Sequence, residues 1–117
     1  MATRATIILS TFPSEESVAN LASKVVSGKL CACVNFTQIR SIYSWRGRME
    51  DQKEFIALFK TTAKSAKRLK AEIARLHPYE VPEIVELKLE DVASKYLSWI
   101  IESTDGVPKK SHNAAKR

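Results

Sequence analysis

Apolar residues along this chain follow two repeats, one typical of β-strands and one typical of α-helices. The strand-like segments lie at residues 4–12, 30–45, 49–62 and 84–90. Three helical repeats follow Ser14, Thr62 and Asp91, whose side chains suit the N-cap position. The first helix is predicted to end at Gly28 and the second before Pro78. The predicted order is strand, helix, strand, strand, helix, strand, helix.

The two central strands form an unusually long hairpin, joined by the tight turn Arg46-Gly47-Arg48. Fifteen extended residues at 31–45 would span about 50 Å, whereas a domain of this size is about 35 Å across. The apolar positions change side within the first of these strands, which predicts a bulge near Thr37 and Gln38. The hairpin must therefore bend or overhang. Residues 55–59 are apolar on both faces, and a second copy of the chain is their simplest cover.

Adjacency and right-handed crossovers turn this order into an α+β fold. We predict a ferredoxin-like split βαβ sandwich, in which two helices cover one face of a four-stranded antiparallel sheet, followed by a C-terminal helix. The length of 117 residues suits one domain. We place that domain at residues 1–104 and predict a basic, disordered tail at 105–117.

The net charge of +6 raises the question of an anionic partner. Residues 105–117 hold four of the cations and one of the acids, and therefore half of the excess charge. In the third strand, Glu54 stands where an RNA-recognition motif requires glycine. The sequence therefore disfavours nucleic acid as a partner. It also lacks the roughly 18 to 20 consecutive apolar residues of a membrane span, so no membrane partner is expected.

The two cysteines, Cys31 and Cys33, are too few for a disulfide framework. On one strand their Cα atoms would lie about 6.6 Å apart, at the outer limit of disulfide geometry. Reduced thiols and the lack of a visible secretory signal lead us to expect a cytoplasmic protein.

Catalytic motifs are missing from the sequence. It contains no glycine-rich phosphate loop, no G-x-S-x-G elbow and no H-E-x-x-H helix. The loop after the first strand has neither the glycine nor the arginine of an acylphosphatase-like site. We therefore predict that the protein is not an enzyme.

A metal site is the remaining chemical candidate. Thiolate and imidazole groups such as those of Cys31, Cys33 and His77 suit copper or zinc. The alternative is that the thiols fill the core and that His77 caps the last carbonyls of its helix. The aromatic residues Trp45, Tyr79 and Trp99 are more typical of a core or an interface than of a cofactor site.

Several short motifs occur in one order along the chain. They are Ala32-Cys33-Val34-Asn35, residues 39–45 with Gly47, Lys60-Thr61-Thr62, residues 77–84 beginning His77-Pro78-Tyr79, and Tyr96-Leu97-Ser98-Trp99. As an ordered set, these motifs resemble the CutA divalent-cation tolerance family over about residues 5–103.

This resemblance implies a ferredoxin-like protomer in a PII-like homotrimer, with the long hairpins wrapping neighbouring subunits. It also implies a role in tolerance to copper and other divalent metals, without an established reaction. Family members with assigned copper ligands have a cysteine at the end of the first strand and two histidines before the Pro-Tyr pair. Here Ser10 and Leu76-His77 occupy those places, so only His77 matches.

On this resemblance we predict weak copper or zinc binding through His77. Further ligands would come from Cys33, Glu54, Glu83 or a neighbouring chain.

Two other functions remain open. The first is an inter-subunit cleft for a small anionic metabolite, with Lys60 supplying the positive charge. Its lining would be Tyr43, Trp45, Glu54, Lys60, Tyr79 and Trp99. These residues could instead be the aromatic and hydrogen-bonding contacts of the trimer. The second function is a trimeric scaffold that anchors another protein, with the basic tail as a tether.

Overall fold

All seven predicted elements are present in the predicted order. The computed structural model describes residues 4–104, so the predicted tail at 105–117 lies outside the described residues. The elements are β1 (Ala5–Phe12), α1 (Glu15–Ser27), β2 (Cys33–Trp45), β3 (Arg48–Thr62), α2 (Ala63–Leu76), β4 (Ile84–Lys88) and α3 (Ser94–Glu102). None of the described helices has the length and hydropathy needed to cross a bilayer.

The caps of the first two helices are those predicted. Ser14 accepts a hydrogen bond from the N–H of Ser17, and Thr62 accepts one from the N–H of Ser65. The predicted cap of α3 at Asp91 is wrong. This helix begins at Ser94, after an N-cap residue without a side-chain hydrogen bond, and Val92 packs against the helix rather than lying in it.

The four strands form one antiparallel sheet in the order β2-β3-β1-β4. Helices α1 and α2 pack on the same face, which we call the helix face. Its core contains Ile8, Phe12, Val18, Leu21, Val25, Ala57, Phe59, Ala66, Leu69 and Ile73. This is the predicted α+β, ferredoxin-like sandwich.

The opposite face, which we call the open face, is covered only in part. Helix α3 lies over one end, where Ile100 packs with Ala5 and Ala32. Beyond α3, strand alternation places a set of apolar side chains on the open face: Ile7, Leu9, Ile56, Leu58, Val85 and Leu87. Val85 and Leu87 are 41% and 44% exposed. The described chain therefore leaves an apolar surface in the middle of its sheet.

The hairpin overhangs the domain, as predicted, but it does not contain the predicted bulge. Strands β2 and β3 pair without interruption through Thr37 and Gln38, so the bulge prediction is wrong. The reason is that the outer hairpin extends beyond the helices. The face on which an apolar residue of the outer hairpin lies therefore does not indicate which face of the sheet is buried. The longest dimension of the molecule is 51 Å, and Ile42 and Met49 near the tip are 62% and 80% exposed.

Candidate functional site

The segment 77–83 joins α2 to β4 and passes round the end of β1. At its start, His77 contacts Ser10 on the helix face of the sheet. Two residues later, Tyr79 reaches Glu54 on the open face. Because Pro78 and Pro82 restrict this segment, both contacts are held by a short, stiff connection.

Both ring nitrogens of His77 are engaged. The backbone N–H of Tyr79 donates to Nδ1 at 3.1 Å, so a neutral ring must carry its proton on Nε2. That nitrogen lies 3.1 Å from the Ser10 hydroxyl oxygen and donates to it. The ring also stacks on Phe12, with centroids 4.4 Å apart. Burial lowers the pKa of His77 below its usual value, although a backbone contact with Thr11 and the charge of Glu54 act in the opposite direction.

The Ser10 and His77 pair does not have the arrangement of a catalytic dyad. A general base must accept the serine proton, whereas Nε2 of His77 is itself the donor in this tautomer. The other ring nitrogen receives a backbone N–H instead of facing a carboxylate. Ser10 is also fully buried. The pair therefore holds the 77–83 segment against β1.

A cavity of about 650 Å³ lies on the open face, between the 77–83 segment and the outer hairpin. Its size is typical of small-molecule sites. It is lined by Thr11, Ser41, Ile42, Tyr43, Trp45, Glu54, Pro78, Tyr79, Glu80, Val81 and Glu83. Three of these residues are acidic and three are aromatic, and the lining contains no lysine or arginine among residues 4–104.

Glu54 is the most enclosed charged group of the cavity, with 7% of its surface exposed. Its Oε2 accepts a hydrogen bond of 2.6 Å from the Tyr79 hydroxyl. Its Oε1 has no hydrogen-bond partner within the described chain. Burial and this hydrogen bond raise the pKa of Tyr79. Glu54 therefore lines the cavity with one carboxylate oxygen that no described residue engages.

The rim of the cavity is held by two side-chain contacts. Arg46 in the hairpin turn forms an ion pair of 3.0 Å with Glu80, and its guanidinium carbon lies 5.3 Å from the centre of the Trp45 ring. On the other side, the Thr11 hydroxyl donates to Oε1 of Glu83 at 3.3 Å. The ion pair is exposed at both partners, so it adds little to stability.

The four predicted metal ligands do not come together. Glu54 and Glu83 line the cavity, but both nitrogens of His77 are already engaged on the other side of the sheet. Cys33 pairs with Lys60, about 20 Å along the strand from Glu54. In the part of the chain that the structure describes, no three His, Cys, Asp or Glu residues are grouped to hold a metal ion. Within residues 4–104, the nitrogen and sulfur ligands that copper prefers are therefore not grouped with these carboxylates.

The predicted cleft residues divide into two groups. Tyr43, Trp45, Glu54 and Tyr79 all line the cavity. Lys60 lies elsewhere, with its Nζ 5.7 Å from the centre of the Tyr96 ring, and Trp99 stacks on the same ring. Lys60, which was expected to supply the positive charge for an anion, therefore does not lie at the cavity.

Sequence reasoning did not assign three polar residues of the cavity, Thr11, Ser41 and Glu80, to any site. Ser41 and Glu80 lie within the family motifs at 39–45 and 77–84 but were not singled out there, and Thr11 joins them only because the 77–83 segment crosses the end of β1. The position of Glu80 between two prolines was the available signal, since such a segment presents its side chains rigidly.

The fold and the cavity together define an α+β protein with a candidate ligand site on the uncovered face of its sheet. Residues 6–103 match the model of the CutA1 divalent ion tolerance protein family. The chain therefore belongs to the CutA1 family, and the predicted resemblance is confirmed. The divalent-cation tolerance protein CutA of Thermotoga maritima is 43% identical over 97 residues, which cover 83% of this chain and 96% of that protein.

Solved structures show the same architecture. CutA1 from Pyrococcus horikoshii superposes with a TM-score of 0.83 at 37% identity, covering 86% of this chain and 98% of that one. The PII-like protein CutA from Nostoc sp. PCC 7120, solved in apo form, gives a TM-score of 0.81 at 31% identity, covering 86% of this chain and 97% of that one.

Proposed function

We propose that this protein is a non-catalytic homotrimer that takes part in its cell's response to divalent cations, and that the cavity beside Tyr79 is where a cation binds. The observation that carries the proposal is the acidic lining, in which Glu54 is almost fully buried and keeps one oxygen without a partner within residues 4–104. Membership of a divalent-ion tolerance family supports the same chemistry.

The ligands on offer favour weak binding through oxygen atoms. Hard divalent cations retain several waters and can be held by one or two carboxylates. Glu54 and Glu83 both line the cavity. Glu54 belongs to β3, and Glu83 accepts a hydrogen bond from Thr11 on β1. Copper would need a nitrogen or sulfur ligand as well, which His77 could supply only by giving up one of its two contacts. A neighbouring copy is the other source.

Calorimetric titration with Mn²⁺, Zn²⁺ and Cu²⁺ tests this assignment. We expect Glu83→Gln to weaken the binding of all three ions, and Glu90→Gln, at an exposed position beyond β4 and away from the cavity lining, to leave it unchanged. If His77→Ala abolishes Cu²⁺ binding while Glu83→Gln does not, the carboxylate site is wrong and the imidazole is the ligand.

The uncovered sheet supports the homotrimer. An apolar surface that includes Leu9, Leu58 and Leu87 would face water in a single copy, and such surfaces are typical of subunit interfaces. The overhanging hairpin offers each copy an arm to pack against its neighbours. The likeness to a PII-like protein supports the same assembly. Sedimentation at micromolar concentration should give a trimer, and a folded monomer would contradict the proposal.

The cytoplasm remains our proposed compartment. Both cysteines are free thiols, as is typical of a reducing environment. Fractionation of cells that express the protein, with an antibody against the folded chain, tests the assignment. Recovery in an extracytoplasmic or membrane fraction would contradict it.

A further inference from the structure

The rim of the cavity already holds a cation of the chain itself. The guanidinium of Arg46 lies against the Trp45 ring and pairs with the Glu80 carboxylate. An aromatic face beside a carboxylate is the usual environment of a recognised organic cation. Two residues of the cavity lining, Trp45 and Glu80, therefore already contact an organic cation, the Arg46 guanidinium.

The interior of the cavity also combines a carboxylate with aromatic rings, but no lysine or arginine of residues 4–104 lines it. Glu54 lines the space, its Oε1 has no hydrogen-bond partner in the described chain, and Tyr43 and Tyr79 line the same space. Since Glu54 is 7% exposed, a cation beside it would be largely removed from water. Charge-assisted hydrogen bonds are stronger in such surroundings than they are in water.

We infer that the cavity binds a small organic cation with a primary ammonium or guanidinium group. The N–H groups of the ligand donate to Oε1 of Glu54, and its hydrocarbon part packs against Tyr43 and Trp45. This inference rests on the proposed function, because it assigns a ligand class to the same cavity. It adds the role of the aromatic walls, which a hydrated metal ion does not require.

Calorimetry with three ligands of one shape tests the charge preference. We expect phenethylamine to bind the full chain, 2-phenylethanol to bind at least about ten-fold more weakly, and 3-phenylpropionate to bind more weakly still. If the alcohol or the acid binds as tightly as the amine, or if the amine does not bind, the inference is overturned.

Two variants locate the binding within the cavity. Glu54→Gln keeps an acceptor for the Tyr79 hydroxyl and removes the charge, so amine affinity should fall by about ten-fold or more. Glu90→Gln removes an equal charge at an exposed position beyond β4, at the α3 end of the sheet, and should bind the amine normally. If Glu54→Gln does not fold, Tyr43→Leu, at a 39% exposed position, should weaken amine binding. Unchanged amine binding in Glu54→Gln, or in Tyr43→Leu if Glu54→Gln does not fold, would overturn the inference.

A parallel Mn²⁺ titration separates this inference from the function on which it rests. If Mn²⁺ binds in a manner that depends on Glu54 and the amine does not bind, only the organic ligand class is wrong. If neither binds, the assignment of the cavity as a cation site is wrong as well.

Discussion

The Tyr79 hydroxyl donates a 2.6 Å hydrogen bond to Oε2 of Glu54, joining the segment after α2 to the middle of β3. This contact fixes one wall of the cavity, because Tyr79 and Glu54 both line it. Replacing the phenol therefore changes the cavity and the stability of the chain together.

Tyr79→Phe should lower the free energy of unfolding by about 1 to 2 kcal/mol, because it removes one hydrogen bond to a charged and buried acceptor. Urea denaturation at fixed protein concentration measures the change. Tyr43→Phe is the matched control, since the Tyr43 hydroxyl has no hydrogen-bond partner within residues 4–104. An equal loss in both variants would show that the Tyr79 contact has no special role.

The structure predicts that His77 makes stability depend on pH. Burial lowers its folded-state pKa below the usual value of 6.5, so the folded chain binds fewer protons than the unfolded chain near that pH. The stabilisation is therefore complete above pH 6.5 and is lost as the pH falls from 6.5 through the folded-state pKa. Protonation would also place a hydrogen on Nδ1, where the N–H of Tyr79 donates.

Unfolding measured between pH 7.5 and 5.5 checks this prediction. His77→Phe retains a ring to stack on Phe12 but cannot titrate, so its stability should change less over this interval than that of the natural chain. Identical pH dependence in the two proteins would remove His77 as the cause.

The helix face of the fold could be predicted from the sequence because its signals are local. Ser14 and Thr62 are side-chain caps, and the apolar repeats of α1 and α2 report a single buried side. The bulge at Thr37 and Gln38 could not be judged in this way. The outer part of the β2–β3 hairpin has no buried side, and its two strands pair without a bulge.

The candidate site was predictable in its residue types but not in its grouping. Tyr43, Trp45 and Tyr79 were predicted to share a site, and they line one cavity. Lys60 and Cys33 were assigned to sites near the same residues, yet both lie at the α3 end of the sheet. This separation follows from distance along β2 and β3, which pair over their whole length. It depends on the register of the two strands, which the sequence alone does not give.

The two cysteines should react differently with alkylating reagents. Burial, reinforced by the charge of Cys33, raises the pKa of Cys31 to about 12, and its side chain is fully enclosed. Iodoacetamide at pH 8 should therefore leave Cys31 unmodified in the native protein, while both cysteines react in denaturant. Mass spectrometry of the peptides measures this, and rapid native labelling of Cys31 would contradict the packing of the core.

The open face of β4 gives the sharpest test of assembly. Leu87 is 44% exposed in one copy, and burying this remaining part of the side chain contributes about 1 kcal/mol, since full burial of a leucine is worth about 1.5 to 3 kcal/mol. Leu87→Lys removes that gain and introduces a charge that must be desolvated, so sedimentation should show smaller species than the natural chain gives at the same concentration. Val26→Lys on α1 is the control, because Val26 is 38% exposed on the outer side of the helix layer. If both variants sediment like the natural chain, the open face is not the surface through which the copies associate.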